Sequence, residues 1–198
     1  MKGLEVTLSV VDAIFARRSV RSYTSEKIQE STVRALLDAA VQAPSALFTR
    51  HVAFVVVQDA GMLRRLSDLT KASWRQELAT NRHHYLDVHK EALQQFSDPR
   101  FDVFHGATTL IVICDRRGDA FGAADCWLAA ENLMLAAYGL GLGSCCVGAA
   151  ASALNSAEMR RDLGIPPVVT AVAPVIIGVP LTHGVADERN EPDVLAWK

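Results

Sequence analysis

The chain has little excess of charge: 20 Lys and Arg stand against 22 Asp and Glu, a formal net charge of -2. A nucleic-acid surface needs a basic face over many residues, so that partner class has the least support. Cysteine is sparse. The four present, Cys114, Cys126, Cys145 and Cys146, lie in apolar stretches without zinc-ligand spacing. Cys145 and Cys146 are adjacent, which rules out an ordinary structural disulfide between them, and buried free thiols are expected. No apolar run reaches the roughly 20 residues of a membrane span. Residues 126–142 come nearest, but Glu131 and Asn132 sit in their middle, where a bilayer penalises an acidic group by about 2.5–3.5 kcal/mol. The stretch reads as a buried helix. Its small residues (Ala129, Ala130, Ala136, Ala137, Gly139, Gly141) admit close approach by another helix, and a chain this short needs a second copy to cover it. A homodimer is therefore expected. Residues 1–5 open neither an apolar signal region nor a basic transit pattern, so a cytoplasmic protein is expected, with no membrane partner.

Signatures of covalent and metal catalysis are missing as well. Ser45 and Ser152 lack a G-x-S-x-G elbow. His83, His84 and His89, near Asp87, are not spaced as H-E-x-x-H, so a solvated surface is the better reading there and no metal is expected. Gly139, Gly141 and Gly143 miss the sixth position of a dinucleotide fingerprint and read as a helix terminator, although the apolar turn at 144–148 could still present backbone N–H groups to a planar ligand. With no acid–base constellation, no catalytic side chain is assigned. Such a chain points to chemistry carried by a cofactor.

What is present suits one domain over residues 1–198, since half of the residues are hydrophobic and the length supports one core. Val33, Leu36, Leu37, Ala40 and Val41 mark an amphipathic helix ending before Pro44. Residues 52–57 and 110–114 are continuous apolar runs, each predicted to be a strand buried on both faces. Residues 168–179 predict a third strand, interrupted or edged at Pro174. Between the first two runs, residues 62–104 are polar and helical, with Trp74, Tyr85, Phe96, Phe101 and Phe104 spaced through them, and could cover a site. Asn155 and Glu158 form a capping-box pair, with Gly164 ending the helix.

The densest chemistry is Arg17-Arg18-Ser19-Val20-Arg21. A short amphipathic helix (Val10, Val11, Ile14, Phe15), capped by Ser9 and Asp12, delivers it. Arginine forks match phosphate oxygens in paired, charge-assisted hydrogen bonds, so the cluster is a candidate anion site. The alternative is a set of solvated cations that offset the helix dipole.

Residues 17–23 (RRSVRSY), Ala43-Pro44-Ser45, then 130–137 (AENLMLAA) running into 141–148 (GLGSCCVG), then 177–180 (IGVP), in that order and spacing, resemble the FMN-dependent nitroreductase family over nearly the whole chain. The resemblance implies an α+β fold with a central mixed β-sheet flanked by helices, an intertwined homodimer, and FMN in pockets at its interface. By position it implies that Arg17, Arg18 and Ser19 hold the phosphate and ribityl chain, and that Arg21 approaches the N1/O2 side of the ring. Cys146, Val147 and Gly148 would present backbone to the flavin edge, Arg189 would add a phosphate contact, and Pro44, Ser45 and Ala46 would come from the partner subunit. Many members read Asn, Gln, Pro and Trp where this chain has Phe48, Arg50, His51 and Val52. Phe48 is thus either a substrate or flavin contact or a plain packing aromatic. The implied activity is transfer of hydride from NAD(P)H through flavin to a small-molecule acceptor such as a nitroaromatic or quinone, by ping-pong kinetics. A non-catalytic flavin or nucleotide carrier, or a variant with other flavin chemistry, remains the alternative.

Overall fold

Leu110, Ile111, Val112 and Ile113 have no solvent exposure, and Cys114 has 1%, and the apolar run around them forms one of the two central strands of the sheet. The computed structural model of the chain describes residues 8–46, 51–80, 90–182, 184 and 189–198, the side chains of 78–80, 90–93 and 120 excepted. Its strands are β1 (Val52–Val57), β2 (Thr109–Asp115), β3 (Gly143–Cys146) and β4 (Thr170–Gly178), joined in the order β1-β2-β4-β3. Every pairing among them is antiparallel. The sheet expected to be mixed has its parallel pairing, among the described residues, at an isolated bridge between Ser19 and Ser144.

The two-residue period of β2 divides the core. Leu110, Val112 and Cys114 face one layer with α3 (Ala60–Thr80) and α4 (Lys90–Ser97). Ile111 and Ile113 face the other with α2 (Glu30–Ala40) and α5 (Ala120–Gly139). α5 buries Cys126, Ala129, Ala130, Leu133 and Ala137 against the sheet, as its composition predicts, and ends at Gly139, with Gly141 at φ 73°. All four cysteines are free.

Three sequence expectations change. β1 is half-buried along most of its length, because it pairs only with β2 among the described strands. Pro174 neither interrupts nor edges its strand: β4 is continuous and central, and Pro174 lies opposite Val112. Its carbonyl accepts from Val147 N (2.9 Å) on the β3 side, so the missing N–H also faces β3, where pairing ends at Cys146. The Val147 carbonyl accepts instead from Ala150 N (2.9 Å), which leaves no orphaned partner for the proline. Finally, the described aromatics of the middle segment, Trp74, Phe96, Phe101 and Phe104, pack inward. Trp74 stacks on Phe96 at 5.2 Å, Phe96 meets Phe101 at 5.7 Å, and Phe104 is 1% exposed. They belong to the core, while His83, His84, Tyr85, Asp87 and His89 lie outside the described residues.

Candidate functional site

Helix α1 (Val10–Ala16) starts at Ser9, whose hydroxyl accepts from Asp12 N, and ends as Arg17 N donates to the Ala13 carbonyl. Only Ala13 of α1 is buried; the apolar face of Val10, Val11, Ile14 and Phe15 is exposed. Beyond α1 the backbone is stitched onto the end of the sheet. Val20 N donates to the Ser144 carbonyl (3.0 Å), Thr24 N to Val179 (2.9 Å), and Leu181 N to Ser22 (2.9 Å). The Tyr23 hydroxyl donates to the Val20 carbonyl (2.7 Å). Two glycines make this approach possible: a Cβ on Gly143 would stand 2.9 Å from Val20 Cβ, and one on Gly178 2.6 Å from Tyr23 Cδ1. They were legible in the sequence only as a helix stop and part of a motif. Their physical role is to admit the arginine segment.

The stitching sets Arg17 and Arg18 around a cavity of about 140 Å³, which Tyr138, Leu142, Ser144 and Gly184 also line. Arg18 Nη1 donates to the carbonyls of Phe15 (2.7 Å) and Arg17 (2.8 Å). Arg17 Nε lies 3.4 Å from Glu131 Oε1, an ion-pair distance without a hydrogen bond. Among the described residues, Arg17 Nε, Arg18 Nε and Ser144 Oγ are buried and make no hydrogen bond. Such atoms carry a desolvation cost of about 1–3 kcal/mol each, which an anion with several acceptor oxygens would relieve. The volume holds a phosphate-sized group but falls short of the roughly 300–1,000 Å³ of a whole-ligand site. In the sequence Ser144 entered only as part of a turn whose backbone could face a planar ligand, not as a hydroxyl contact, and Gly184 was not singled out, because neither carries a pattern of its own.

The third arginine acts elsewhere. Burial, and then the Arg21 charge, hold the His105 imidazole below its ordinary pKa; burial pushes the Tyr23 phenol well above the usual range, with Cys145 adding to it and Arg21 opposing. Ser19 is exposed. Cys146 sits near Arg17 and Glu131, its thiol pushed up to about 11 by burial first, with Cys145 and Glu131 adding and Arg17 opposing. It ends β3, so the supposed turn at 144–148 is a strand end followed by the 3-10 turn Gly148–Ala150. Val147 is buried and Gly148 exposed.

Pro44, Ser45 and Ala46 stand apart. Ala46 N donates to Asp125 near the start of α5, whereas the cavity abuts Tyr138 at its far end, about 20 Å away at ~1.5 Å per residue. Arg189 is exposed in the tail, and Phe48 lies outside the described residues. Within one chain the arginines and the 44–46 loop are therefore not brought together. No group of His, Cys, Asp and Glu among the described residues is arranged to hold a metal, and no described helix is long and apolar enough to cross a membrane.

Comparison with known proteins assigns the chain to a family. A putative NADH dehydrogenase/NAD(P)H nitroreductase of Methanothermobacter thermautotrophicus is 28% identical over 189 residues, 94% of this chain and 85% of that protein. An FMN reductase (NAD(P)H) of Bacillus subtilis is 26% identical over 91% of this chain and 69% of its own length. In fold, the chain is similar to a nitroreductase with bound FMN from Bacteroides fragilis, with a TM-score of 0.77, 24% identity, and coverage of 96% of this chain and 98% of that one. The Nitroreductase family model matches residues 14–179, a span that holds the arginine segment, the sheet and helix α5, and the chain belongs to the nitroreductase family.

Proposed function

We propose that this chain is an FMN-dependent oxidoreductase that takes reducing equivalents from NAD(P)H and delivers them to a small oxidised acceptor such as a nitroaromatic or quinone, working as a homodimer. The observation that carries the reading is the trio of buried polar atoms without hydrogen bonds, Arg17 Nε, Arg18 Nε and Ser144 Oγ, around a cavity of phosphate size. FMN, when bound, supplies hydride acceptance and redelivery.

The chain's residues bind and orient. Arg17, Arg18 and Ser19 hold the terminal phosphate and ribityl chain. Arg21, whose charge acts on a different set of groups, is free of that cavity and serves the N1/O2 side of the ring, where a fixed cation favours reduction. Cys146, Val147 and Gly148 border the ring edge, and Arg189 adds a phosphate contact from the tail. Pro44, Ser45, Ala46 and Phe48 complete the crevice from a second copy. That sharing is supported by the distance along α5 and by the exposed apolar face of α1, since a face of this kind marks an interaction surface. Two substrates taking turns in one crevice imply ping-pong kinetics.

Stopped-flow absorbance of the reconstituted protein tests the reading. NAD(P)H is expected to bleach the flavin band and acceptor to restore it, and Arg17→Ala is expected to lose FMN while the chain stays folded. A flavin band indifferent to NAD(P)H would refute the reaction; FMN retained equally by Arg17→Ala would refute the site.

A further inference from the structure

Asp125 is 4% exposed, a carboxylate drawn beneath the surface near the start of α5. A buried charge lowers stability unless it is well partnered. Both of its oxygens lie 3.1 Å from Ala46 N, which donates to them. Arg117 Nη1 reaches the Ala46 carbonyl at 3.5 Å. Arg117 is itself held, its Nε donating to Asp119 Oδ2 at 2.9 Å and its guanidinium lying 6.0 Å from the Phe121 ring centroid. One residue of the loop after α2 is thus gripped at both its N–H and its C=O by the turn and first residues between β2 and the body of α5. A loop serving only to connect α2 to β1 gains little from a buried carboxylate that hydrophobic packing could replace. The grip stands at the opposite end of α5 from the Arg17 and Arg18 cavity.

We infer that Asp125, supported by Arg117, is a positioning residue that holds the Pro44–Ala46 loop in the shape in which it meets the flavin bound by the arginines of a second copy of the chain. The inference rests on the proposed flavin site and deepens it by naming the groups that present the loop. Because the effect is exerted across the interface, the lesion and the affected pocket belong to different protomers. That separates positioning from a merely structural role.

FMN titration of the full-length dimer, followed by flavin fluorescence and absorbance, tests it. Asp125→Ala is expected to weaken FMN about tenfold, the loss of a charge-assisted hydrogen bond that orders a binding loop. Asp125→Asn retains an acceptor for Ala46 N–H and is expected to restore most of the affinity. Hybrid dimers with Arg17→Ala on one protomer and Asp125→Ala on the other are expected to keep one wild-type FMN site per dimer, since both lesions fall on the same pocket. Unchanged affinity in Asp125→Ala, or a hybrid with no wild-type site, overturns the inference. If Asp125→Ala does not fold, Arg117→Ala takes its place in the hybrid, with a smaller loss of the same trans character expected and unchanged affinity overturning it. A wild-type chain that takes up no FMN overturns the proposed function itself, whatever Asp125 does.

Discussion

At the scale of single residues, burial decides chemistry more than residue type does. Cys146 lies beside an arginine, a setting that lowers a thiol pKa when water is present, yet desolvation outweighs the Arg17 charge. Burial likewise pushes Cys114 up to about 11 and Cys126 up to about 12. In an unfolded chain these thiols ionise near pH 8.5. The neutral form is therefore favoured by folding: the stabilisation is complete below the unfolded pKa and is lost as pH rises through the folded values. Urea midpoints are expected to fall between about pH 8.5 and about pH 12, and replacing Cys114, Cys126 and Cys146 by Ala is expected to flatten that slope. An equal slope in the substituted chain would exclude the thiols as its source. The free, unpaired state of these cysteines was legible in the sequence. Their environment was not, because it depends on which face of β2, α5 and β3 each side chain meets.

At the scale of elements, caps set boundaries to within a residue, and sequence missed by one. The helix α7 (Ala157–Leu163), which follows the single-turn α6 (Ala151–Leu154), is capped by Ser156, whose hydroxyl accepts from Met159 N (3.2 Å), and ends at Gly164 with φ 68°. The expected cap, Asn155, instead ties α7 to β4: its Nδ2 donates to the Ala171 carbonyl (2.8 Å), and its Oδ1 accepts from Ala171 N (3.0 Å) and Arg160 Nη2 (2.9 Å). Either residue can cap a helix, and only the proximity of β4 assigns Asn155 to the sheet. Ser156→Ala and Gly164→Ala are each expected to cost about 1 kcal/mol in chemical denaturation, the first through a lost N-cap and the second through a left-handed backbone. Pro174 teaches the same lesson, since its tolerance in a central strand follows from where β3 stops, information held 28 residues earlier in the chain at Cys146.

At the scale of the whole molecule, two apolar segments are left uncovered, the face of α1 and the C-terminal tail. Phe15 is 75% exposed and Trp197 93%, with Val10, Val11 and Ile14 beside the former and Leu195 beside the latter in sequence. Scattered exposed apolar residues are ordinary, but a whole helix face of them is not. On the proposed function, a second copy of the chain that covers α1 and brings its 44–46 loop would satisfy this face and complete the flavin crevice together. Phe15→Asp is accordingly expected to shift the protein from dimer to monomer by light scattering and to release FMN in step. A stable, flavin-bearing monomer would separate the two functions of the interface.

The amino-acid sequence by itself determined the strands β1, β2 and β4, helix α5 and the arginine segment, because these depend on local periodicity and contiguous motifs, while the α+β class followed from the resemblance that those motifs carry in their order. Tertiary structure alone decided that Gly143 and Gly178 admit the arginine segment, that Ser144 joins Arg17 and Arg18, and that Asp125 holds Ala46 at the far end of α5. Those are contacts between residues up to 155 positions apart, Tyr23 and Gly178, and no local pattern encodes them: they exist only once the sheet brings its ends together.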